Sequence, residues 1–189
     1  MNITKLFRPL GTLIASTAVI AALATAPAVT NAASVTGTMT LGGGSYTLVG
    51  GTDFSDATGI SFDSTTIVST GATDALGSTV GFGTLGTVAD FDFDPLASSI
   101  AGFIEIGGWS FQLDTATAVT PRSTGELFIG GTGTLTGNGY EATAARWSFS
   151  SNNLNDYSMT VTAVPVPAAA WLFASGLLGL AGAARRRAT

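Results

Sequence analysis

The side chains able to do chemistry in this sequence are carboxylates. In the run Asp90-Phe91-Asp92-Phe93-Asp94, aspartates alternate with phenylalanines. On a strand the three carboxylates share one face at about 6.8 Å intervals, because each residue rises about 3.4 Å. Hard oxygen ligands in that array suit Ca²⁺, so Asp90, Asp92 and Asp94 are weak candidate ligands. The surroundings depart from a calcium loop. Pro95 follows where such a loop wants glycine, and the twelfth position is Ala101 rather than glutamate. A wet acidic strand edge, which also discourages edge-to-edge pairing, is the plainer reading. No resident cofactor or metal is expected.

Glu105, Glu126 and Glu141 are the glutamates, and a pair of carboxylates is the minimum for glycoside hydrolysis. The sequence has no His, no Cys and no Lys beyond Lys5. That removes imidazole acid–base chemistry, thiol nucleophiles, Schiff-base lysines, Ser-His-Asp triads and the common zinc ligand sets. The Gly-rich "GGTGTLTGNG" is followed by no helix and has no lysine nearby, so it reads as turn and strand chemistry rather than a phosphate cradle. A non-enzymatic protein is expected.

The elements that would position these groups are strands. In "FIEIGGWSFQL", two alternating runs flank Gly107-Gly108, a dipeptide suited to a two-residue hairpin with positive φ. Pairing Ile106 with Trp109 and Ile104 with Phe111 puts Ile104, Ile106, Trp109, Phe111 and Leu113 on one face. Glu105, Ser110 and Gln112 then fall on the other. Further strand-like runs lie at 34–41, 45–50, 59–62, 65–69, 78–85, 125–131, 132–139, 146–150 and 157–164, with "TVADFDFD" as another. About ten short strands with turns every 8–12 residues predict an all-β body, a β-sandwich with a jelly-roll-like variant open.

The two ends differ from this body. Lys5 and Arg8 precede the uncharged stretch 10–23 and the small-residue run "ATAPAVTNAA", the layout of a secretory signal peptide over residues 1–33. Cleavage is expected after Ala32 or Ala33, with Ala28 as a competitor. The body, 34–163, holds all 12 acidic residues and only Arg122 and Arg146, a net charge of −10. That charge disfavours nucleic acid and anionic membrane surfaces as partners. At the C-terminus, residues 168–184 carry no charge. As a helix at about 1.5 Å per residue they match the roughly 30 Å hydrocarbon core. Pro165 and Pro167 bound the run outside, Trp171 lies near that boundary, and Gly176, Gly179 and Gly182 recur every third position. Arg185, Arg186 and Arg187 then form a stop-transfer cluster that stays cytoplasmic.

Val164-Pro165-Val166-Pro167-Ala168, the hydrophobic helix beginning "AAWLFASGLLGLAG" and the terminal arginines together resemble the PEP-CTERM sorting signal. The closest variant is VPLPA-CTERM, from which this tail differs by Val166 in place of leucine. The resemblance covers residues 164–187. It implies an exosortase substrate of a Gram-negative bacterium, exported with signal peptidase across the inner membrane. Such a protein is held there transiently, then processed to the cell surface or an exopolysaccharide matrix. "FDFDPL", "GGWSFQLDT" and "GTGTLTGNGYEATAARWSFSS" also resemble segments of PEP-CTERM proteins that have a β-sandwich-like body and no established activity. Alternatives are a carbohydrate-binding, Ca²⁺-assisted module and an unprocessed single-pass anchored protein.

Overall fold

The computed structural model describes residues 32–119, 122–165, 172–178 and 180. The described residues belong to one compact unit, and residues 1–31 lie outside this description. Eleven strands and one short helix build the described body: β1 Thr38–Gly43, β2 Tyr46–Val49, β3 Gly59–Phe62, β4 Thr66–Ala72, α1 Asp74–Gly77, β5 Leu85–Val88, β6 Phe91–Asp92, β7 Ile100–Ile106, β8 Trp109–Ala118, β9 Leu127–Gly137, β10 Tyr140–Asn153 and β11 Asp156–Ala163.

The predicted hairpin forms in the predicted register. Ile104 pairs with Phe111, Glu105 with Ser110 and Ile106 with Trp109. Gly107 and Gly108 take φ of 58° and 81°, the left-handed values that a two-residue turn between twisted strands needs. The apolar face named from the alternation is buried along its whole length, and Glu105 is exposed. A second tight turn, Asn138-Gly139, joins β9 to β10 with φ of 49° and 79°. The Asn138 amide donates to the Gly107 carbonyl at 3.1 Å, which ties the two turns together.

Two expected runs behave differently. Residues 125–131 and 132–139 fuse into the single eleven-residue β9, which runs straight through Gly130-Gly131. Here Gly131 and Gly133 serve close packing rather than turning. A Cβ on Gly131 would collide with the Thr115 carbonyl, and one on Gly133 with the Gln112 carbonyl and the Phe111 ring. Of residues 78–85, expected as a strand, 78–84 instead form a loop, with Gly83 at φ 81°, and Leu85 opens β5. Val80 is buried and Phe82 is 86% exposed.

The sheet closes on itself, which departs from the two-sheet sandwich expected from the strand spacing. Eight antiparallel strands form a closed barrel in the order β1-β11-β10-β9-β8-β7-β5-β4. Closure falls to β1, which pairs with β11 along one edge and with β4 along the other. A closed sheet has no free edge to shield, which is the liability a sandwich must manage at each border. The remaining strands form a small sheet, β2-β3-β6.

The small sheet joins the barrel through an aromatic core. Tyr46 of β2 meets Phe149 and Tyr157 edge-on at 5.6 and 5.9 Å. Phe91 of β6 meets Phe103 and Trp147 at 5.2 and 5.4 Å, both near-perpendicular. Such edge-to-face contacts add about 0.5–1.5 kcal/mol each beyond area burial. Elsewhere α1 and the loop after it pack on the barrel. Leu76 is fully buried, and the Trp109 indole N–H donates to the Thr79 hydroxyl at 2.7 Å. The body has no disulfide, so burial and hydrogen bonding hold it together.

Candidate functional site

The aspartates of "DFDFD" are distributed among three different neighbours. β6 is only two residues long, so the expected strand does not extend through Asp94. Asp90 accepts the Phe62 amide at 2.8 Å and the Ser61 hydroxyl at 2.9 Å, stitching β3 to the segment before β6. Asp92 lies over Gly59, its pairing partner, where a Cβ would collide with the carboxylate. Asp94 pairs with Arg122 at 3.3 Å, and Arg122 also donates to the Ala57 carbonyl. Among the described residues no three acidic, His or Cys side chains gather to hold a metal.

The glutamates lie apart along the fold. Glu105 is in β7, and Glu141 in β10 accepts the hydroxyl of Ser34. Glu126 lines a cavity of about 280 Å³ beside Phe128, Ser150, Asp156 and Tyr157. Sequence reasoning did not pair Glu126 with Asp156, because they line one cavity only where the start of β9 and the β10–β11 turn meet in space. Burial, helped by the Asp156 charge, pushes the Tyr157 phenol up to about 12, and its hydroxyl has no hydrogen-bond partner among the described residues. Burial raises Tyr46 likewise.

A further acidic loop was also missed. Asp56 accepts the backbone N–H groups of Asp53 and Thr52, both at 2.9 Å, and these bonds hold its carboxyl below the usual range. Asp53 in turn accepts the Ser55 amide at 2.7 Å. The signal was present in "TDFSD", since short polar side chains bond the backbone two or three residues away. These carboxylates shape the β2–β3 connection.

A groove of about 540 Å³ crosses the outer face of β8 to β11. Thr115, Thr132, Ser148, Thr160 and Thr162 surround Arg146, and Gly130 leaves the floor open. Single-sequence alternation marks these residues as outward-facing. Only the cross-strand register aligns them.

The residues expected to form a sorting motif fall partly within the description. Val164 and Pro165 are exposed just after β11, where the Val164 N–H still donates to the Ala144 carbonyl at 2.7 Å. Val166, Pro167, Ala168, Trp171 and Arg185 to Arg187 lie outside the described residues, as does the expected signal peptide through Asn31. Residues 172–178 and 180 are helical. Among the described residues no helix is long and apolar enough to cross a membrane. Comparison of the chain with family models, curated proteins and solved structures finds no match.

Proposed function

We propose that this is an exported, non-enzymatic β protein carried by a C-terminal membrane-inserting sorting helix of the PEP-CTERM kind. One observation carries the reading. The helical residues after the barrel bury none of their large apolar side chains: Leu172, Phe173, Leu177, Leu178 and Leu180 are 51–75% exposed. Moving each such side chain out of water is worth about 1.5–3 kcal/mol, so the segment has a strong drive toward an apolar phase that the barrel does not supply. The uncharged run 168–184 and the arginines behind it suit a bilayer, with the barrel outside and the arginines in the cytoplasm.

On this reading an exosortase recognises the Val164–Ala168 motif and the helix, and removes them. The barrel then passes to the cell surface or an extracellular polysaccharide matrix of a Gram-negative bacterium. The non-enzymatic assignment is supported by the side-chain inventory: the sequence has no His or Cys, and Glu105 and Glu141 lie on separate strands.

Two measurements test it. The full-length chain should float with lipid vesicles, whereas a chain ending at Val164 should stay in the soluble fraction; equal partition of both refutes insertion. Mass spectrometry of protein released by the native cells should find a C-terminus upstream of Trp171. An intact tail there would leave an unprocessed anchored protein and defeat the exosortase step.

A further inference from the structure

We infer that the outer groove centred on Arg146 is a binding site for an uncharged, extended polysaccharide chain. The argument begins with register. Thr38, Thr162, Arg146, Thr132 and Thr115 lie side by side on β1, β11, β10, β9 and β8. The next row runs Thr40, Thr160, Ser148, Gly130 and Thr117 on the same strands. Five strands at about 4.8 Å spacing make each row roughly 19 Å long, the reach of an oligomer rather than of a single small ion. Eight of the ten positions are hydroxyl side chains; Thr38 bonds Thr162 at 3.1 Å and Thr115 bonds Thr132 at 2.8 Å, which leaves each hydroxyl further donor or acceptor capacity. That suits a ligand whose surface is itself made of hydroxyls.

Arg146 and Gly130 turn the rows into a groove. The ion pair found among the described residues joins Arg122 to Asp94, and no carboxylate lines this groove. The Arg146 guanidinium therefore presents its fixed fork of donors to whatever enters. Gly130 interrupts the hydroxyl row, and nothing lies within 4 Å of where its Cβ would stand. The gap is open space bordered by Arg146, Ser148 and Thr160.

Charge selects among glycans. A polyuronate would set several carboxylates against one guanidinium on a body of net charge −10, so repulsion outweighs the single favourable pair. A neutral chain meets the same hydroxyls and the same donor fork without that opposition. The site is independent of the membrane reading, since it lies wholly on the barrel.

The test titrates the full-length chain, held in a sugar-free detergent, with hexasaccharides. Neutral β-glucan, α-glucan, mannan and chitin oligomers are compared with an oligogalacturonate, and binding is read by calorimetry and NMR shifts. At least one neutral hexamer should bind saturably and more tightly than the oligogalacturonate. Arg146→Gln, which removes the donor fork, and Gly130→Leu, which fills the gap, should each weaken it at least about tenfold, with unfolding temperatures unchanged. Failure of every neutral hexamer to bind overturns the proposal. So does tighter binding of the oligogalacturonate, or wild-type affinity in both variants.

Discussion

Tyr157 sets the alkaline limit of the barrel. Its phenol is pushed from an ordinary value near 10 up to about 12, first by burial and then by Asp156. The folded state therefore keeps the proton where the unfolded chain has lost it. Stability is unaffected below pH 10 and falls between pH 10 and about 12, by up to about 2–3 kcal/mol. Urea unfolding across that range should show the decline. Tyr157→Phe should make it shallower, with Tyr46 responsible for the remainder; an unchanged slope would refute the assignment. Two glycines of β9 give a paired prediction. Gly133→Ala drives a methyl into the Gln112 carbonyl and the Phe111 ring and should cost about 1–3 kcal/mol. Gly130→Ala enters open space and should stay within about 0.5 kcal/mol of the parent. Sequence inspection ranks these glycines equally, because the groups that crowd Gly133 lie on another strand. The same holds for Asp90, Asp92 and Asp94: their spacing was legible, and their separate partners on β3 and beside Arg122 were not.

At the scale of elements, local chemistry was most readable where a turn and its flanking alternation agreed. Gly107-Gly108 is such a case, and its hairpin carries the expected pairs and buried face. It was least readable where glycine had two uses. The runs 125–131 and 132–139 read as two strands divided after Gly130-Gly131, whereas Gly131 lies against the Thr115 carbonyl of β8 and the Trp147 ring of β10 inside one long strand. β1 has a role that no local signal announces, since it supplies both seams of the barrel. Thr40 pairs with Thr160 on one side and Gly71 on the other. Thr40→Pro removes a ladder N–H at the seam and should destabilise the fold by about 3 kcal/mol or more. Hydrogen exchange should then accelerate first in β4 and β11. Acceleration confined to the β7–β8 hairpin would contradict closure through β1.

For the whole molecule, burial separates the barrel from the helical residues that follow it. The buried core runs from Val35 to Ala163, and the helical residues beyond it are exposed. A chain ending at Val164 should accordingly unfold at the same temperature as the full chain in detergent, within a degree or two by the scaling of small domains. A large drop would mean that the tail packs on the barrel. Strand content, the hairpin register, the acidic charge of the body and the apolar, arginine-ended terminus were all set by the sequence alone, because each depends on neighbours a few residues apart. Closure into a barrel, the dispersal of the acidic side chains and the alignment of hydroxyls around Arg146 were decided only in three dimensions. Each depends on which strands lie side by side, and residues 38 and 162 become neighbours only when the sheet closes.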